Sequence, residues 1–269
     1  MPTVHQRIAP DESETDPPVK AIDRAARLLR ALASHPFDGA TFTDLARDTD
    51  FGKATTHRLL AALIDVGFVF QEVATKRYRL GSAFTLLGRN ATTQLITTAT
   101  HVPLEQIASE TGDTVFASVP EGTAAVCIAR ATGSFPIRTL TLNVGDRRPL
   151  GVGSGSLALL AAMSDDEIGK VIDRNDRWLR DYPGYTPDAL VKMVAETRRN
   201  GFAFNAGLIV PGMCAIGVPV LDASRRPIAS LSAAAITERM ATPRAEKLAK
   251  LLKREAKSLC RQIAEAGQH

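Results

Sequence analysis

Apolar positions in "VKAIDRAARLLRALASHP" recur at helical spacing: Ile22, Ala25, Ala26, Leu29 and Leu32 form one stripe, Arg24, Arg27 and Arg30 fall outside it, and Pro36 closes the run. "TFTDLARDTDFG" predicts a short second helix with Thr43 as N-cap, Leu45 and Ala46 turned inward and a tight turn at Gly52. A third helix runs from Lys53 to about Val66 and stops at Gly67. At 100° per residue, Leu59, Leu60, Leu63 and Ile64 share its inner face with Thr56. Ala54 and Arg58 then point outward, Thr55 and His57 lie on the flanks, and Lys53 leads the helix. Phe68 to Phe70 and Tyr78 to Leu80 bracket a polar tip, Gln71 to Arg77, the pattern of a β-hairpin.

Three helices followed by a basic-tipped hairpin read as a winged helix-turn-helix. In that unit the third helix enters the major groove with its N-terminal residues against base edges, and the hairpin lies against phosphate. Lys53, Thr55, His57 and Arg58, with Lys76 and Arg77 on the hairpin, are therefore the expected contacts to a double-stranded DNA operator. The small Ala54 beside Arg58 permits close approach. The same donors also suit a solvated helix face on a unit that contacts protein, so a second reading stays open at this point: a small-molecule enzyme or sensor with a protein-binding helical domain.

Downstream, Ser82 to about Thr98 carries Phe84, Leu87, Ala91 and Leu95 on one stripe, with Gly88 as a soft spot, and a separate helix is expected from Pro103 to Glu110. The pattern then changes to strands. "DTVFASV" and "TAAVCIAR" flank "PEG" as a hairpin, "FPIRTLTL" reads as another strand, and "CAIGVPVLDASRRPIASLSAAAI" as two long strands around Asp222 to Arg226. Helices are expected at Ser154 to Met163, Asp165 to Asp173, Pro187 to Asn200 and Pro243 to Ala266. The fold class is α+β in two domains, the second a largely antiparallel sheet flanked by helices. The expected divisions are a disordered tail over 1–18, a DNA-binding domain over 19–81, a linker helix over 82–98 and an effector-binding domain over 99–269.

Composition adds little to this pattern. No stretch of the 269 residues approaches the roughly 20 apolar residues that span a bilayer, and the first 18 lack the apolar centre of a signal peptide, so a cytoplasmic protein without membrane contact is expected. The pI near 9.1 is a weak pointer to polyanions, because ten basic residues between Lys20 and Gly81 are accompanied by seven acidic ones. Cys127, Cys214 and Cys260 stand far apart in apolar surroundings and suggest buried thiols. Five scattered histidines give neither metal spacing nor a catalytic order, so no enzyme, no metal and no cofactor is expected.

"PLGVGSGS" is the most unusual stretch. A phosphate loop would end in Gly-Lys-Ser/Thr and a dinucleotide fingerprint would place Gly at Ser156, so neither fits. Alternating Gly151, Gly153 and Gly155 before a helix can instead present backbone N–H groups and the Ser154 hydroxyl to a small carboxylate, or can simply permit a tight turn.

"DFGKATTHRLLAALIDVGFV" with "RYRLG", then "RRPLGVGSGSLALLAAM", "RRNGFAFN" and "CAIGVPVLD", resembles the IclR family of transcriptional regulators over nearly everything after Val19. The resemblance implies a winged-helix domain, a linker helix and a GAF-like effector domain, in homodimers or homotetramers. It further implies a ligand-responsive regulator of a catabolic operon. Through it, Phe116, Ser118, Cys214 and Ile216 are expected to share an effector cavity with Gly151, Gly153 and Ser154.

Overall fold

The computed structural model describes residues 20–266, Arg89 by its backbone alone; the tail expected over 1–18 lies outside the described residues. The chain divides into two compact units between Asn90 and Ala91.

The first unit contains α1 (Lys20–Ala33), α2 (Phe42–Thr49) and α3 (Lys53–Asp65), then the antiparallel hairpin of β1 (Val69–Gln71) and β2 (Tyr78–Leu80). Leu28, Leu32, Leu45, Leu60, Leu63 and Val69 form its core. In α1 the buried line is rotated from the expected one: Leu28 is fully buried, whereas Ile22 is 69% exposed. Adjacent Leu28 and Leu29 fit two phases of one helical pattern, and packing on α2 and α3 selects the first. Helix α2 is capped by Thr41 rather than Thr43. Its hydroxyl accepts from the Asp44 N–H at 3.2 Å while the Asp44 carboxylate accepts from the Thr41 N–H at 3.0 Å, a reciprocal capping box. In α3, Thr56, Leu60 and Leu63 are buried, but Ile64 sits at the rim, 37% exposed.

Helix α4 (Ala83–Thr111) runs unbroken through Pro103, where a break was expected. Proline costs the helix a hydrogen bond, but Ile96, Leu104, Ile107 and Ala108 are buried on both sides of it, and that packing outweighs the local preference. The second unit holds β3 (Thr114–Glu121), β4 (Ala124–Thr132), β5 (Arg147–Pro149), α5 (Ser154–Ala161), α6 (Asp165–Leu179), α7 (Pro187–Asn200), β6 (Ala203–Ala206), β7 (Met213–Leu221), β8 (Pro227–Ile236) and α8 (Thr242–Ala266). The six strands form one antiparallel sheet in the order β5-β4-β3-β8-β7-β6. One face packs on α4 and α8 through Val115, Ile216, Leu231 and Leu252. The other face carries α5, whose eight residues are all buried, with α6 and α7 behind it. The α+β expectation describes this arrangement.

The segment "FPIRTLTL" is not a strand. Its carbonyls accept from arginines instead of a neighbouring strand, Thr141 from Arg148 at 2.5 Å and Leu142 from Arg130 at 3.1 Å. Its alternation is inverted as well, with Thr139 buried and Ile137 and Leu140 more than half exposed. At its start, Phe135 lies under the Arg239 guanidinium at 3.9 Å and donates its N–H to Gly112. Arg239 and Arg244 both bind the buried Asp113 carboxylate and the Thr111 carbonyl, so cations neutralise the negative C-terminal end of α4. The end of α4, this segment and the start of α8 are thereby held in one knot.

Candidate DNA-binding face and effector cavity

Helix α3 presents Lys53, His57 and Arg58 as exposed side chains at its leading end, with Thr55 half-buried beside them and Ala54 exposed. Thr56 is fully buried, its hydroxyl directed to the Gly52 carbonyl at 3.3 Å. Gly52 caps α3 without a side chain, so the leading amides stay open to an anion such as phosphate. On the hairpin the two basic residues differ. Lys76 is exposed in the turn with φ +56°, held by its N–H to the Glu72 carbonyl at 2.9 Å. Arg77 is half-buried and donates to the Gly39 carbonyl at 3.0 Å, which ties the wing to the loop after α1.

In the second unit, a cavity of about 60 Å³ lies between the sheet and the N-terminus of α5. Phe116, Ser118, Cys127, Ser232 and Ala234 form its floor, and Leu142, Ile209, Val210 and Met213 its apolar cover. Burial pushes the Cys127 thiol up to about 11, so it serves as a neutral apolar wall. The hydroxyls of Ser118, Ser154 and Ser232 face this space from residues less than 10% exposed, the polar few in a mostly apolar lining.

The glycine loop divides its labour. Gly151, at φ +102°, does not line the cavity: a Cβ there would meet Leu190 at 2.7 Å, and its N–H already donates to the Ser156 hydroxyl at 3.0 Å. Gly153, at φ +87°, lines the cavity, yet its N–H donates to the Tyr185 phenol at 3.2 Å. Burial lifts that phenol to about 12, and Asn205 fixes it by a second hydrogen bond at 2.7 Å. The amides left open are those of Ser154, Gly155 and Ser156, since Gly153 supplies no side-chain cap. Ile216 is corrected. It is fully buried against the α4 and α8 side, because one residue of phase moves a strand side chain to the opposite face. Ala215 takes the cavity position, and Cys214 reaches only the rim, its Sγ 3.5 Å from the Thr237 hydroxyl.

The profile described as "Bacterial transcriptional regulator IclR C-terminal" matches residues 89–261, and "IclR helix-turn-helix domain" matches residues 21–72. The chain belongs to the IclR family. It is 24% identical to the transcriptional repressor IclR of Escherichia coli over 253 residues, 90% of this chain and 89% of that one. An IclR-family regulator from Rhodococcus sp. superposes with a TM-score of 0.69 at 21% identity, covering 94% and 97% of the two chains. An IclR homologue from Microbacterium hydrocarbonoxydans, solved in complex with 4-hydroxybenzoate, has a TM-score of 0.55 at 21% identity over 91% and 99%. This IclR-family chain is a ligand-responsive, DNA-binding transcriptional regulator, and among the described residues no helix is long and apolar enough to cross a membrane.

Sequence reasoning passed over Arg148 and the cover residues of this IclR protein. Arg147-Arg148-Pro149 entered only as part of the family resemblance, and the pairing of Ala125 with Arg148 shows that the second arginine shares the cavity face. The signal was the two-residue alternation, in a strand too short to display it.

Proposed function

We propose that the chain controls a catabolic operon, binding a DNA operator through the leading end of α3 and the wing, and answering to a small organic carboxylate held in the cavity of the second unit. The observation that carries the effector class is the uncapped start of α5, three open amides beside a partly covered, mostly apolar cavity. The 4-hydroxybenzoate bound by the Microbacterium relative supports the same class. On this reading Lys53, Thr55, His57, Arg58 and Lys76 meet DNA, and Arg77 holds the wing in place. Phe116, Ser118, Gly153, Ser154 and the rim residue Cys214 surround the effector.

The protein works in the cytoplasm, where its operator is, and is not an enzyme. It acts as a homodimer or homotetramer. Leu86 and Leu87 of α4, 59% and 50% exposed, support pairing of α4 with a second copy. The Asp113 knot joins the end of α4 to the segment that continues into the cavity wall, which supports effector control of DNA binding through that helix.

The test is a titration of fluorescent DNA from the region flanking the chain's own gene, at several salt concentrations, with and without small acids. Specific, salt-sensitive binding that shifts about 5- to 150-fold with one acid is expected. Equal affinity with and without every acid that binds the protein would remove the regulatory link.

A further inference from the structure

Arg148 is the one charged side chain among the described residues that line the cavity. Strand β5 alternates, so Arg147 turns outward to Glu121 at 3.0 Å while Arg148 sits on the cavity face opposite Ala125. Other half-buried arginines of this unit have carboxylates: Arg239 and Arg244 share Asp113 at 3.1 and 2.6 Å. Arg148 has only the Thr141 carbonyl, reached by Nη2 at 2.5 Å, and no carboxylate partner among the described residues. Its Nη1 lies 3.4 Å from the point where a Cβ of Gly153 would stand, so the missing side chain leaves the guanidinium beside the open amides of α5. An arginine fork with donors to spare, a helix N-terminus without a cap and the hydroxyls of Ser118, Ser154 and Ser232 all face one space, and all three donor types suit an oxygen acceptor.

We propose that Arg148 is the specificity-determining residue of the effector site, binding one carboxylate oxygen of a monocarboxylate whose other oxygen is held by the Ser154 and Gly155 amides. The proposal rests on the reading of this cavity as the effector site and adds the charge of the ligand and the side chain that selects it. A single cation balances a single carboxylate, and a dicarboxylate would bury one charge unpaired against Leu142, Ile209 and Val210. A neutral amide of the same shape turns N–H donors toward N–H donors and forfeits the charge-assisted bonds.

The experiment is calorimetry and thermal shift on the full chain with three acid and amide pairs: benzoate and benzamide, 4-hydroxybenzoate and 4-hydroxybenzamide, lactate and lactamide. For each acid that binds, the wild-type protein is expected to favour it over its amide by about 10- to 150-fold, the worth of a charge-assisted hydrogen bond. Arg148→Met is expected to bring the ratio to about one, and Arg148→Lys to restore part of it. The wild-type ratio does not depend on any variant folding. Equal binding of acid and amide by the wild type, or an undiminished ratio in Arg148→Met, overturns the role of Arg148 while the cavity remains the effector site. A wild-type protein that binds none of the six probes counts against the site itself and takes the proposal with it.

Discussion

Gly217 sits in the middle of β7, where α5 begins directly above the strand. A Cβ built there overlaps the Ser154 carbonyl oxygen and lies 2.7 Å from the Gly155 nitrogen, whereas ordinary contact starts at 3.4 Å. Gly217→Ala therefore requires the start of α5 to lift by at least 3.4 − 2.7 Å, about 0.7 Å, against a helix that is buried along all eight residues. Backbone cannot rotate away as a side chain would, so the cost falls in the upper part of the overpacking range, about 2–3 kcal/mol. For a unit of this size that corresponds to a melting temperature lower by roughly 4–12 °C. The displaced amides are those assigned to the effector, so affinity for a bound acid should fall more than tenfold. Gly88→Ala is the matched control: nothing lies within 4 Å of its Cβ position in α4, and alanine there should stabilise by about 0.5–1 kcal/mol. Scanning calorimetry of the full chain, followed by titration with an identified acid, decides the matter. A Gly217→Ala protein that melts within 1 °C of wild type (a threshold of about 0.4 kcal/mol) and binds acid normally would refute the packing argument.

Arg58→Ala should cost about 1–3 kcal/mol of operator affinity and relax preference at one base pair, whereas Lys76→Ala should weaken all sequences alike and flatten the salt slope; anisotropy titrations at several salt concentrations separate the two. Thiol labelling at pH 8 should modify Cys260 first and Cys127 last, since burial raises the Cys127 thiol to about 11, and mass spectrometry of partly labelled protein reads the order. Asp44 is held below its ordinary value of 3.8 chiefly by the Thr41 hydroxyl and then by the Thr41 amide. The stabilisation of the α2 cap is therefore complete above that value and lost as pH falls through the depressed one, which NMR titration of the Thr41 amide should show; Asp44→Asn should flatten that titration.

The winged unit was legible because its signals are local: three short helices closed in turn at Pro36, Gly52 and Gly67, and a hairpin bracketed by apolar runs. Helix α3 shows how well this works, since burial of Thr56, a polar residue, follows from the wheel alone. Errors arose where two phases fit equally, as with Leu28 against Leu29, or where tertiary packing outweighs a local rule, as at Pro103. Strands β5 and β6, three and four residues long, carry too few positions to show alternation. Apart from Phe116, Ser118 and Cys214, which the family resemblance supplied, the cavity was legible only through its glycines. Their spacing announced an unusual loop, but which amides remain open depends on Tyr185 and Ser156, and those partners are visible only once the chain is folded.

The uncapped start of α5 makes the ligand a piece of the fold. Most helices carry their own N-cap, worth about 0.5–2 kcal/mol. At Gly153 that side chain is missing, and on the proposed reading an acid in the cavity takes its place from outside. Occupancy and local folding are then one equilibrium: with the acid absent, the first turn of α5 is the weakest part of a buried helix, and amide exchange at Ser154 to Ser156 should report effector concentration directly. A serine or aspartate at that position would compete with the ligand for the same three amides. On the proposed reading, the protein senses its signal by withholding from α5 the residue that would have completed it.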